Sequence, residues 1–86
     1  MAKYRVEISA TAERQLRRLP HDDQVRVVRA ALALGSEPRP PGSRKLQGYD
    51  DVFRIRVGTY RVLYSVEGRH LLVLILKVGH RKDVYR

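Results

Sequence analysis

The stretch Val52-Phe53-Arg54-Ile55-Arg56-Val57-Gly58-Thr59-Tyr60-Arg61-Val62-Leu63-Tyr64-Ser65-Val66 decides the fold. Phe53, Ile55 and Val57 alternate with Arg54 and Arg56, the two-residue period of a half-buried strand. Gly58-Thr59 is a two-residue bend of Gly-X type, and Tyr60 to Val66 predicts the returning strand. With Gly58-Thr59 as the whole loop, Val57 pairs with Tyr60, Arg56 with Arg61, Ile55 with Val62 and Arg54 with Leu63. Phe53, Ile55, Val57, Tyr60, Val62 and Tyr64 then share one face, which must be covered. Arg54, Arg56 and Arg61 share the other. Like charges directly opposite one another are destabilising. A sheet built for stability alone avoids Arg56 against Arg61, whereas a site for an anion with several oxygens wants it. The plainer reading is three solvated arginines, but the convergence of three guanidinium groups favours the anion site.

Working outward, Leu71 to Val78 is apolar at nearly every position, as in a strand covered on both faces or lying centrally. Near the start, Tyr4, Val6 and Ile8 alternate with Lys3, Arg5 and Glu7, which predicts another half-buried strand. Ser9 or Thr11 caps a helix carrying Ala12, Leu16 and Leu19 at helical spacing. Pro20 breaks the pattern, and Asp22 and Asp23 favour a second helix N-terminus. Val25, Val28 and Leu32 give that helix an apolar stripe, and Gly35 can end it. Ser36 to Gly48, with Pro38-Arg39-Pro40-Pro41-Gly42, reads as loop. The order β-α-α-β-β-β predicts an α+β fold: a helical hairpin packed on one face of a mostly antiparallel four-stranded sheet. Pairing of the first strand with the last would be parallel, with the hairpin as the crossover. Residues 1–86 form a single domain, since chains split only at much greater length.

Composition narrows the function. Eighteen Lys and Arg against nine Asp and Glu give a formal charge of +9, and fourteen of the eighteen are Arg. Arg suits bidentate phosphate contact, so the partner expected is a polyanion. Without cysteine there is no disulfide, thiolate nucleophile or zinc-thiolate site. No Gly-rich phosphate loop stands out, and Asp50, Asp51, His80 and Asp83 match no ligand spacing. No apolar h-region follows the start, and Leu71 to Leu76 is too short to span a bilayer. A soluble cytoplasmic protein with no membrane association is expected. On the helices, Arg14, Arg17, Arg18, Arg26 and Arg29 make a basic face, and Arg44 and Lys45 close the loop; these seven are candidates for nucleic-acid contact. The tail can bring Arg81 and Tyr85 to the rim of the arginine face. A tyrosine among arginines either stacks on a nucleobase or packs against the sheet. His80 carries an imidazole, a side chain able to give or take a proton, so it is either a proton-transfer group or structural.

Phe53 to Tyr64 resembles the central hairpin of the RelE toxins of the RelE/ParE superfamily, and Leu74 to Tyr85 resembles their C-terminal segment. Ala12 to Pro20 and Lys45-Leu46-Gln47-Gly48 are similar as well, so the resemblance spans nearly the whole chain. It implies a compact βααβββ toxin of a type II toxin–antitoxin pair. It further implies a ribosome-dependent mRNA endoribonuclease that cuts in the A site and stops translation. The cut would need no metal or other cofactor: the ribose 2′-OH attacks the adjacent phosphate, leaving a 2′,3′-cyclic phosphate and a 5′-OH. Arg54, Arg56, Arg61 and Arg81 match the family's functional basic residues, and Tyr85 its base-stacking tyrosine. Where this chain has Arg54 and Arg56, some members have lysines. Arg effectively cannot lose its proton, which makes Arg56 unsuited to act as a base: either the ribosome and phosphate positioning supply most of the rate, or His80 takes part in proton transfer. The implied partners are the ribosome and its mRNA, an acidic RelB-like antitoxin and, through that antitoxin only, operator DNA. A ParE-like gyrase inhibitor and a non-catalytic nucleic-acid-binding module are the competing readings.

Overall fold

The computed structural model describes residues 3–80. Its elements are β1 (Arg5–Ile8), α1 (Ala10–Arg17), α2 (His21–Ala33), β2 (Arg44–Lys45), β3 (Val52–Val57), β4 (Tyr60–Glu67) and β5 (Leu72–His80). The strands form one sheet in the order β1-β5-β4-β3-β2. β1 runs parallel to β5 and the remaining pairs are antiparallel, as the crossover argument requires. β5, apolar without a break from Leu72 to Leu76, lies inside the sheet, between β1 and β4.

The helices cover one face. Ala12 and Leu16 of α1 and Val27 and Ala31 of α2 pack with Phe53, Ile55, Val62, Tyr64, Val73 and Ile75. Full burial of one such large side chain is worth about 1.5–3 kcal/mol. Two local devices fix the first helix. Ser9 is its N-cap: the hydroxyl accepts from the Ala12 N–H at 3.1 Å and donates to the Leu76 carbonyl at 3.1 Å. The Gln15 side-chain oxygen accepts from the Val78 N–H at 2.7 Å, tying α1 to β5. On the other side of the core, the Tyr64 hydroxyl donates to the Pro38 carbonyl at 2.7 Å, and its ring stacks on Phe53.

Two expectations change. The sheet has five strands, because Arg44–Lys45, inside the segment read as loop, pairs with β3. The buried stripe of α2 is Val27 and Ala31, continued by Leu34, whereas Val25 and Leu32 are 40% and 56% exposed. Positions 27, 31 and 34 recur at helical spacing just as 25, 28 and 32 do, and packing against the sheet selects the first set. Gly35 follows the end of α2, as expected, though without a positive φ. It is buried where the chain passes β1: its carbonyl accepts from the Tyr4 N–H at 2.7 Å, and a Cβ there would lie 2.8 Å from the Tyr4 carbonyl oxygen.

Candidate nucleic-acid interface

The Gly58-Thr59 bend produces the predicted register: Val57 opposes Tyr60, Arg56 opposes Arg61, Ile55 opposes Val62 and Arg54 opposes Leu63. Gly58 takes φ +61°, a left-handed conformation that glycine tolerates. Directly opposed residues point the same way, with Cβ atoms about 5 Å apart. Since Val57, Tyr60, Ile55 and Val62 face the helices, Arg54, Arg56 and Arg61 share the uncovered face.

The neighbouring strands extend this group. Arg44 of β2 opposes Arg54, a second like-charged pair. Beyond Leu63, Lys77 of β5 completes the same rung. The open face thus carries one rung of Arg44, Arg54, Leu63 and Lys77, and beside it a rung of Arg56, Arg61 and Gly79. An open depression of about 320 Å³ is lined by Pro41, Gly42, Arg44, Arg54, Ile55 and Arg56. Arg54 and Arg61 are half-buried, and Arg56 is exposed. Among the described residues, the ion pairs are Arg5–Glu7 and Glu13–Arg17, with the His70 ring 3.9 Å from the Glu67 carboxylate, and none involves Arg44, Arg54, Arg56 or Lys77. The face therefore presents concentrated positive charge suited to a multi-oxygen anion. Among the same residues no cluster of three or more His, Asp and Glu side chains is placed to hold a metal ion.

Lys77 was missed for a definite reason. Strict alternation from Val73 and Ile75 puts Lys77 on the helix side. A β-bulge intervenes: Tyr64 opposes Ile75 but Leu63 opposes Lys77, with Leu76 the extra residue. The bulge turns Lys77 to the arginine face and His80 away from it. His80 opposes Tyr60, and their rings meet edge-on at 5.3 Å between centroids on the helix side. His80 thus stands on the opposite side of the sheet from Arg54, Arg56 and Arg61.

Other candidates separate from the cluster. Lys45 opposes Phe53 and so points away from Arg44; the Arg39 guanidinium lies 5.2 Å above the Phe53 ring. Arg14, Arg17, Arg18, Arg26 and Arg29 are exposed on the helices, which cover the opposite face of the sheet. Arg17 pairs with Glu13 one turn away. The Arg26 guanidinium reaches the β3–β4 bend, 2.9 Å from where a side chain on Gly58 would begin. Arg81 and Tyr85 lie outside the described residues.

Two tyrosines hold their protons more firmly than usual. The Tyr60 hydroxyl donates to Asp23 at 2.9 Å, and this bond to a carboxylate, with burial and the Asp23 charge adding to it and Arg26 opposing, pushes its pKa up. Burial raises that of Tyr64 against partial relief from Ser43 and Arg39. Both groups stabilise the helix side of the sheet and take no part in the open face.

Residues 6–85 match the family model described as the ParE toxin of the type II toxin–antitoxin system parDE. The chain is 39% identical to the toxin RelG of Mycobacterium tuberculosis over 96% of its own length and 97% of that protein's. A solved toxin–antitoxin complex, RelBE2 from the same organism, contains a chain that superposes with TM-score 0.84 at 38% identity, covering 96% of this chain and 97% of that one. A chain of the archaeal RelE–RelB complex from Pyrococcus horikoshii does so with TM-score 0.82 at 34% identity, covering 98% and 100%.

Proposed function

The chain belongs to the RelE/ParE superfamily of type II toxin–antitoxin toxins, as a RelE-type toxin, and from that premise we propose that it is a ribosome-dependent endoribonuclease that cuts mRNA in the A site. The observation that carries this reading is the open face on which Arg44 opposes Arg54 and Arg56 opposes Arg61. A sheet bears that repulsion at a cost in stability, and a phosphodiester seated there relieves it.

The reaction needs little covalent participation by the protein. The ribose 2′-oxygen bonds to phosphorus, the P–O5′ bond breaks, and the 2′-hydroxyl proton leaves while the 5′-oxygen gains one. Negative charge builds on the non-bridging phosphate oxygens. Cations fixed in advance of that charge lower the barrier, the role of Arg54, Arg56 and Arg61 with Arg44 and Lys77 beside them. None of the arginines gives up a proton, so they act as electrostatic clamps and not as bases. His80, with Tyr60 on the far side of the sheet, has no place in the transfer. The 2′-hydroxyl proton passes to solvent or to ribosomal groups. From the sequence match, Arg81 serves the leaving 5′-oxygen and Tyr85 stacks on a base.

The partner that silences a +9 toxin is an acidic RelB-like antitoxin. RelE–RelB and RelBE2 are complexes of that kind in the similar structures. The ParE description of the matching family raises gyrase poisoning as the second reading. The two part in one experiment, in which the purified toxin is added separately to programmed ribosomes and to gyrase with DNA. Codon-phased cuts in the message support the nuclease. Trapped gyrase–DNA breaks with intact message overturn it.

A further inference from the structure

Beside the arginines, the open face holds a second feature that charge does not explain. A mostly apolar hollow of about 410 Å³ is walled by Leu46, Val52, Leu63 and Leu76, with Tyr49 and Lys77 at its edges. It is continuous with the cationic rung, because Leu63 stands between Arg54 and Lys77 in register and Val52 is two residues from Arg54 on the same side of β3. Its outer wall is the segment between β2 and β3. Three backbone bonds hold that segment in place: Leu46 N–H to the Val52 carbonyl at 2.8 Å, Tyr49 N–H to the Leu46 carbonyl at 3.3 Å, and Val66 N–H to the Asp51 carbonyl at 2.9 Å. Tyr49 is 59% exposed, a large aromatic ring left in water at the mouth of an apolar cavity.

Resting on the nuclease reading of the neighbouring arginines, we propose that this hollow seats one nucleobase of the RNA and is where the toxin senses base identity. A nucleotide joins a flat, largely apolar ring to an anion through a ribose. The face offers an apolar recess and a row of cations separated by about one strand spacing, roughly 4.8 Å. The ring enters among Leu46, Val52, Leu63 and Leu76 and stacks on Tyr49, while its phosphate meets Arg54 and Lys77. Stacking tolerates any base, so discrimination comes from polar groups at the rim: the Thr11 hydroxyl, the Tyr49 hydroxyl and the Lys77 ammonium.

The test uses the full chain with methyl-labelled Leu and Val, titrated with ribose 5-phosphate and then with each of the four nucleoside monophosphates. Nucleotides are expected to move the Leu46, Val52, Leu63 and Leu76 methyl signals. They should bind roughly 5- to 150-fold more tightly than ribose 5-phosphate, the worth of one stacked base. Tyr49→Ala should erase that advantage and leave ribose 5-phosphate binding unchanged, whereas Tyr49→Phe should keep it. Equal binding of the sugar phosphate and the nucleotides, or methyl signals that move only with the antitoxin, would overturn the proposal, the latter assigning the hollow to a protein segment. Message cutting on ribosomes is followed in parallel. Base-dependent binding with uncut messages sinks the nuclease reading and leaves the hollow; cut messages with base-independent binding sink the hollow alone.

Discussion

Arg54 sits at the most crowded point of the open face, and replacing it with Gln should make the protein more stable. Arg44 opposes it directly, Arg56 lies two residues along the same strand, and Arg61 is the diagonal neighbour. Guanidinium groups about 7 Å apart repel by about 0.6 kcal/mol in water. Two or three such neighbours sum to about 1.2–1.8 kcal/mol, and at 0.1 M salt, with a Debye length of about 10 Å, about half survives. Arg54→Gln should therefore gain about 0.5–1 kcal/mol, which for a domain of this size raises Tm by roughly 2–8 °C. The gain should fade towards 1 M salt, where the Debye length is about 3 Å. Thermal unfolding followed by circular dichroism at both salt concentrations measures it. A cycle with Arg44→Gln isolates the direct pair: the double variant should gain less than the two single gains added together. A variant that melts at or below the parent temperature in low salt, or whose gain is indifferent to salt, would refute the crowding argument.

Other outcomes follow from particular contacts. Gly35→Ala should destabilise by about 1–3 kcal/mol, since the new methyl meets the Tyr4 carbonyl and must push β1 from α2; a melting curve unchanged from the parent would contradict this. Stability should fall in alkali. Tyr60 and Tyr64 have raised pKa values in the fold, so their contribution is complete below the ordinary tyrosine value near 10 and is lost as pH climbs through the folded values. Denaturant midpoints between neutrality and strong alkali, in the parent and in Tyr60→Phe, should show a smaller alkaline loss in the variant. His80→Gln should cut ribosome-bound message as fast as the parent, whereas a general base at that position would make the loss at least about 100-fold.

Much of this was legible in the sequence wherever a short-range rule had a single solution. A two-residue bend permits only one pairing of the flanking strands, so Gly58-Thr59 placed Arg56 against Arg61 and set Arg54, Arg56 and Arg61 on one face. The apolar run from Leu71 to Leu76 announced an inner strand, and the crossover announced its parallel partner. The rest depended on tertiary choices. The second helix has two apolar sets at helical spacing, and only the sheet beneath selects Val27 and Ala31 over Val25 and Leu32. A two-residue strand after a Pro-rich loop carries no periodic signal, which hid the pairing of Arg44 with Arg54. The bulge at Leu76 inverts the alternation of β5 without any glycine or proline to mark it. That one extra residue brought Lys77 into the cationic field and removed His80 from it.

The central claim is that guanidinium groups gathered on the open face stabilise charge on a phosphate in transit, beyond merely holding RNA. The most direct measurement is the single-turnover rate of message cutting on programmed ribosomes at saturating toxin, parent against Arg61→Ala. The rate should fall by about 100- to 1,000-fold, the worth of one preorganised stabilising group, with ribosome affinity nearly unchanged. A variant that cuts at the parental rate once saturated, having lost affinity alone, would contradict the account.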